Sequence, residues 1–133
     1  TGSDRCARRQ ARATLGHMQP LGVHHVSINV RDATEGVTFY TEVLGLTTRT
    51  DRPDFAIGGA WLDIGDQQVH LIETDVPVNC GQHFAIRVAD LDGTIAELRG
   101  RDIEVGDPSI VGTGRQAFLT DPSGNLIELH EPA

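Results

Sequence analysis

His25 and His70 lie 45 residues apart, and His83 and Glu128 repeat that spacing. Neutral imidazole nitrogens and a carboxylate oxygen are donors for a divalent cation, and this set suits Zn, Ni, Co, Fe or Mn without choosing among them. A single strand histidine is ordinarily just a hydrogen-bonded residue. Four donors at equivalent places in two similar stretches of chain predict a shared metal site instead. The chemistry open to such a site is Lewis-acid stabilisation of charge developing on a substrate oxygen, with proton transfer by a base within hydrogen-bond reach. Glu128, swinging off the metal, and His130, two residues on and sharing its strand face, are the candidate catalytic groups.

Short strands must hold these donors. His25-Val-Ser-Ile-Asn-Val30 and His83-Phe-Ala-Ile-Arg-Val88 alternate as half-buried strands do. Val26, Ile28 and Val30 share one face, which leaves His25, Ser27 and Asn29 on the other; Phe84, Ile86 and Val88 likewise leave His83, Ala85 and Arg87. Val69 and Leu71 oppose His70, and Ile127 and Leu129 oppose Glu128. The apolar faces require helices against them. Asp32-Ala-Thr-Glu35 has capping-box spacing and opens a helix with Val37, Tyr40 and Leu44 on one face, ended at Gly45. Asp90 or Asp92 caps a second helix carrying Leu91, Ile95 and Leu98, ended at Gly100.

Further extended segments are expected around Thr47–Thr50, Ala60–Ile64 and Gln68–Glu73, and again around Glu104–Val105, Gln116–Thr120 and Leu126–His130. Gly65-Asp66 and Asp121-Pro-Ser-Gly124 supply the turns before the last strand of each set. The fold class is therefore α+β: two tandem βαβββ modules, about 23–75 and 82–132, whose curved sheets form a metal-binding cleft. Around that cleft Asn29, Arg87 and Arg115 are candidates to orient an anionic or oxygenated substrate. Trp61 and Phe118, at matched places, either wall the cleft or fill core between sheet and helix. His24 has the wrong parity for the cleft, and Glu73, of opposite parity to His70, is not assigned to the metal.

At 133 residues the chain is one domain over 21–133, with residues 1–20 read as a mobile tail. A short helix on Ala7, Ala11, Leu15 and Met18 is the weaker reading of that tail, because isolated short helices are marginal in water. All 11 basic residues are arginine, so no lysine exists for a P-loop or a Schiff base. The formal charge of −8 is more negative still beyond the arginine-rich tail, which excludes nucleic acid as a partner. No apolar run approaches the roughly 18 residues needed to cross a bilayer, and no leader pattern is visible, so neither a membrane nor secretion is expected. Cys6 and Cys80 form no disulfide framework, which fits a cytoplasmic protein.

Taken in order, His25-Val-Ser-Ile-Asn-Val30, Phe39-Tyr40 with Leu44-Gly45-Leu46, His83-Phe-Ala-Ile-Arg-Val88 and Asp121-Pro-Ser-Gly-Asn-Leu-Ile-Glu128-Leu resemble the vicinal-oxygen-chelate superfamily over about residues 22–132. That superfamily includes glyoxalase I, extradiol dioxygenases, methylmalonyl-CoA epimerase, and fosfomycin and bleomycin resistance proteins. The resemblance implies that His25, His83 and Glu128 bind metal; His70 sits where glyoxalase I has a liganding glutamate, a departure from that pattern. It further implies a glyoxalase-like lyase or isomerase that stabilises an enolate of a small substrate with adjacent oxygens. An Fe(II) extradiol-type dioxygenase and a bleomycin-resistance-like drug-binding protein are the alternatives. A homodimer is expected, its modules paired within one chain or exchanged between two.

Overall fold

The computed structural model describes residues 17–133. The expected mobile tail over 1–20, with its alternative helix, falls for the most part outside the described residues. The remainder runs β1 (His25–Val30), α1 (Ala33–Thr38), a π-helical turn (Phe39–Val43), β2 (Thr47–Thr48), β3 (Gly59–Ile64), β4 (Gln67–Glu73), β5 (His83–Arg87), α2 (Leu91–Gly100), β6 (Ser109–Val111), β7 (Gly114–Thr120) and β8 (Leu126–Glu131). These make two four-stranded sheets, in the orders β1-β4-β3-β2 and β5-β8-β7-β6. In each sheet the first strand pairs in parallel with the fourth, and the remaining pairs are antiparallel. The tandem βαβββ architecture expected from alternation is the one observed.

Alternation also settles which face is covered. Val30, Ala60, Leu62, Val69 and Leu71 are buried beneath α1, and Ala117, Leu119, Ile127 and Leu129 are buried beneath α2 with Leu91, Ile95 and Leu98. All of them belong to one continuous core. The helix starts show the duplication in their hydrogen bonds. Asp32 Oδ1 accepts from the Glu35 amide at 2.8 Å, and Asp90 Oδ1 from the Gly93 amide at 3.0 Å. The next free amide of each helix, Ala33 or Leu91, donates to a glutamate at the end of its module's fourth strand, Glu73 or Glu131, at 2.8 Å. Glu73 is therefore a helix cap on the covered side of the sheet. The reciprocal half of the capping box is missing, because the Glu35 carboxylate accepts from Arg31 instead.

Three local expectations are corrected. The first helix does not run evenly to Leu44: α1 ends at Thr38 and widens into the π turn, where the Leu44 amide donates to the Phe39 carbonyl at 3.2 Å. Gly45 ends it at φ +79°, as expected, but Gly100 is still helical and the chain reverses at Asp102, φ +60°. Glu104–Val105 is not a strand. Val105 is buried, the Gly106 amide donates to the Phe118 carbonyl, and β6 forms four residues later, where Gly112 allows a tight return into β7. Ile110 and Val111 in β6 are exposed, so no alternation of burial announces that strand.

The Asp121-Pro-Ser-Gly-Asn125 segment does more than turn. Buried Asp121 accepts from the Tyr40 hydroxyl at 2.9 Å, from the Ser123 and Asn125 amides at 2.9 Å, and from Asn125 Nδ2 at 2.8 Å. Asn125 Nδ2 also donates to the Asn29 carbonyl on β1, and the Arg31 amide to Ser123 Oγ. The second module thereby holds the first. No helix among the described residues is long and apolar enough to cross a membrane.

Candidate metal centre

The uncovered face of the first sheet carries His25 on β1, His70 on β4 and Trp61 on β3, with Ser27 and Trp61 both opposite His70 in register. Their rings form a stack. His25 lies on His70 with centroids 4.0 Å apart and planes 12° apart, and Trp61 stacks on the same His70 ring at 4.6 Å and 12°. His70 is only 8% exposed despite facing the cleft. Burial first, then the His25 and His24 rings and the Arg49 and Arg52 guanidinium groups, hold it below the ordinary imidazole range. It is thus kept as the neutral ring that a metal takes as a ligand. Its Nε2 lies 2.8 Å from Gln68 Oε1. His24 turns its Nδ1 to that of His25, 2.8 Å away.

In the second sheet His83 on β5 and Glu128 on β8 share the uncovered face with Phe118, which meets the His83 ring edge-on at 5.2 Å. His83 Nδ1 lies 2.8 Å from the Gly81 carbonyl and donates to it, and Nε2 lies 3.1 Å from Glu128 Oε1, to which it donates when the ring is protonated. The Gly81 carbonyl, ahead of Glu128 and against burial, accordingly raises the His83 pKa above its ordinary value. A backbone carbonyl that accepts from one ring nitrogen and leaves the other for a cation is the arrangement by which metal-binding histidines are oriented. The donors in both sheets therefore fit a divalent ion. Glu128 Oε2 is 2.9 Å from His130 Nδ1.

The structure brings the expected residues together in pairs: His25 with His70, and Glu128 with His83 and His130. It does not gather all four ligands in one chain; among the described residues, no group of three or more His, Cys, Asp or Glu side chains is placed to hold a metal ion. Trp61 and Phe118 stand on the uncovered faces beside His70 and His83, outside the buried core. Asn29 faces the cleft, but its Nδ2 donates to the Asp75 carbonyl at 2.9 Å. Arg87 stands exposed opposite His130. Arg115 is corrected: it lies on the helix side, opposite Glu131, and grips Asp92 of α2 through two hydrogen bonds of 2.8 and 2.9 Å. A strand with Phe118 in the cleft must turn residue 115 the other way, so the parity that located His70 was available for Arg115 too. Gln68 was missed although it shares the parity of His70, and the Gly81 carbonyl has no signature in a sequence.

The family model for the Glyoxalase/Bleomycin resistance protein/Dioxygenase superfamily matches residues 22–129. A probable chloroplastic lactoylglutathione lyase of Arabidopsis thaliana is 30% identical over 122 residues; the match takes in 80% of this chain and 35% of that protein, so the chain spans about a third of it. The metallothiol transferase FosB of Staphylococcus saprophyticus is 26% identical, over 81% of this chain and 75% of that one. Among solved structures, the antibiotic-binding protein TnmS3 of Streptomyces sp. CB03234 superposes with a TM-score of 0.74 at 28% identity, covering 88% of this chain and all of the other. With the match running from before β1 into β8 and so taking in strands and helices of both βαβββ modules, the chain belongs to the Glyoxalase/Bleomycin resistance protein/Dioxygenase superfamily.

Proposed function

We propose that the chain is a metal-dependent vicinal-oxygen-chelate enzyme, a glyoxalase-like lyase or isomerase acting on a small substrate with adjacent oxygens. The observation that carries this reading is the matched pair of half-sites, His25 with His70 and His83 with Glu128, on the same strands and the same face of each module. Two ligands per module are too few for a firmly held divalent ion, which takes three or four from protein. The half-sites therefore meet between two copies of the chain, the first module of one facing the second module of the other. A divalent ion of the Zn, Ni, Co, Fe or Mn type supplies Lewis-acid stabilisation of charge developing on the paired oxygens.

The chain's own groups do the rest. Glu128 moves a proton at Oε2, passing it to or from His130 Nδ1. Trp61 and Phe118 wall the site against water, and Arg87, with Asn29, offers donors to an oxygenated or anionic substrate. Metal analysis of purified protein tests the reading: wild type retains a divalent ion through gel filtration, and His83→Ala and Glu128→Gln lose it. Unchanged metal content in both variants overturns the assignment, and iron with oxygen uptake on catechols moves the protein to the dioxygenase reading. A second reading, drug sequestration, draws on the likeness to TnmS3, an antibiotic-binding protein. It requires stoichiometric ligand binding by metal-stripped protein with no turnover.

A further inference from the structure

Beside His70, on the same face, lies a cavity of about 410 Å³ bounded by Trp61, Phe55, Ile57 and Arg52. Its walls are mainly apolar. Trp61 ends the ring stack, and Phe55 stands at 53° to it with centroids 6.2 Å apart, so two aromatic planes open toward one space. Phe55 and Ile57, half exposed on the loop between β2 and β3, leave apolar surface at the rim that the fold itself does not cover. Arg52 brings the single charge. Its guanidinium carbon lies 4.9 Å from the Phe55 ring centre, and Nη2 donates to the Ile57 carbonyl at 2.8 Å. Its neighbour Arg49 is neutralised by Asp51 and Asp63, whereas no carboxylate among the described residues pairs with Arg52. In a chain of 19 acids and 11 arginines, a half-buried guanidinium without a carboxylate partner at the edge of an aromatic cavity is positioned for a ligand's anion.

We propose that this cavity seats a flat aromatic ring bearing a carboxylate, with Trp61 and Phe55 against the ring and Arg52 on the anion. This names the substrate class of the site proposed above and rests on that reading, since the cavity and the candidate metal site share His70. The ring gains burial and aromatic contact, while the planar guanidinium recognises the carboxylate by paired N–H donors.

Trp61 is the only tryptophan of the chain, so its fluorescence reports on the cavity directly. Full-length protein titrated with 4-nitrobenzoate is expected to show saturable quenching, at least tenfold tighter than with the neutral 4-nitrobenzamide. Arg52→Met abolishes that preference, Phe55→Ala weakens both probes, and Arg31→Met changes neither. A guanidinium that merely holds the loop would lower the melting temperature of Arg52→Met and leave the acid preference intact, which overturns the proposal. So does equal binding of acid and amide by wild type. The same samples are assayed for metal. Retained metal without saturable quenching removes the cavity inference alone, and acid-selective quenching in protein that holds no metal upholds the cavity and removes the metal reading.

Discussion

The two oxygens of Glu128 have different neighbours, His83 at Oε1 and His130 at Oε2, at 3.1 and 2.9 Å. A carboxylate divided in this way can hold a cation on one side and exchange a proton on the other. The roles separate by substitution. Glu128→Gln removes both and is expected to strip the metal; His130→Ala removes only the second and is expected to retain it. On a substrate that wild type turns over, His130→Ala should fall by about 10²–10⁴-fold, the range for loss of a positioned acid or base. It should also lose one limb of the pH–rate profile, which a merely structural histidine would not affect. Metal content and that profile, measured together, check the division. At this scale the sequence was most legible where side-chain parity governs, as at His25, His70, His83 and Glu128. It was silent on the carbonyl of Gly81, because any residue supplies the same backbone oxygen.

Arg115 and Asp92 show how an element is held once its charge pair is assigned to structure and not to substrate. Asp92 opens α2, and the hydrogen bonds of Arg115, outweighing burial, hold its carboxyl below the ordinary carboxylate range. A folded-state value lowered in this way contributes stability that is complete above the unfolded value of about 3.9 and is lost as pH falls through the folded one. Asp92→Asn should therefore melt below wild type at neutral pH, with the gap closing in that acid window; thermal unfolding between pH 3 and 7 measures it. A constant gap down to pH 3 would show that the pair does not act through charge. The elements themselves were readable where burial alternates. β6 and the π turn were not, since the first has exposed Ile110 and Val111 and the second carries its apolar residues at a spacing that also fits an α-helix. Capping roles were readable only in part: Asp32 and Asp90 carry local spacing, whereas Glu73 and Glu131 reach their helices from 40 residues away.

Tyr40 and Asp121 join the two modules through a buried hydrogen bond to a carboxylate, and burial first, then Asp121, raises the phenol pKa. Tyr40→Phe should cost about 1.5–3 kcal/mol, nearer the lower figure because Asp121 keeps three other donors. The shift in urea midpoint, at unchanged slope, checks it. That linkage fixes how the modules of one chain sit, and in this arrangement the half-sites do not merge among the described residues. Completion by a second copy therefore has a consequence that completion within one chain lacks. A chain with His25→Ala and His70→Ala has no first half-site, and one with His83→Ala and Glu128→Gln has no second; neither alone should hold metal. Mixed and reassembled, half of the dimers pair the two types, and each such dimer joins the intact first module of one chain to the intact second module of the other. Metal should return to about a quarter of the wild-type content per chain, one site in each mixed dimer. Recovery at that level requires a site shared between chains, whereas a site closed within each chain leaves the mixture as empty as its components.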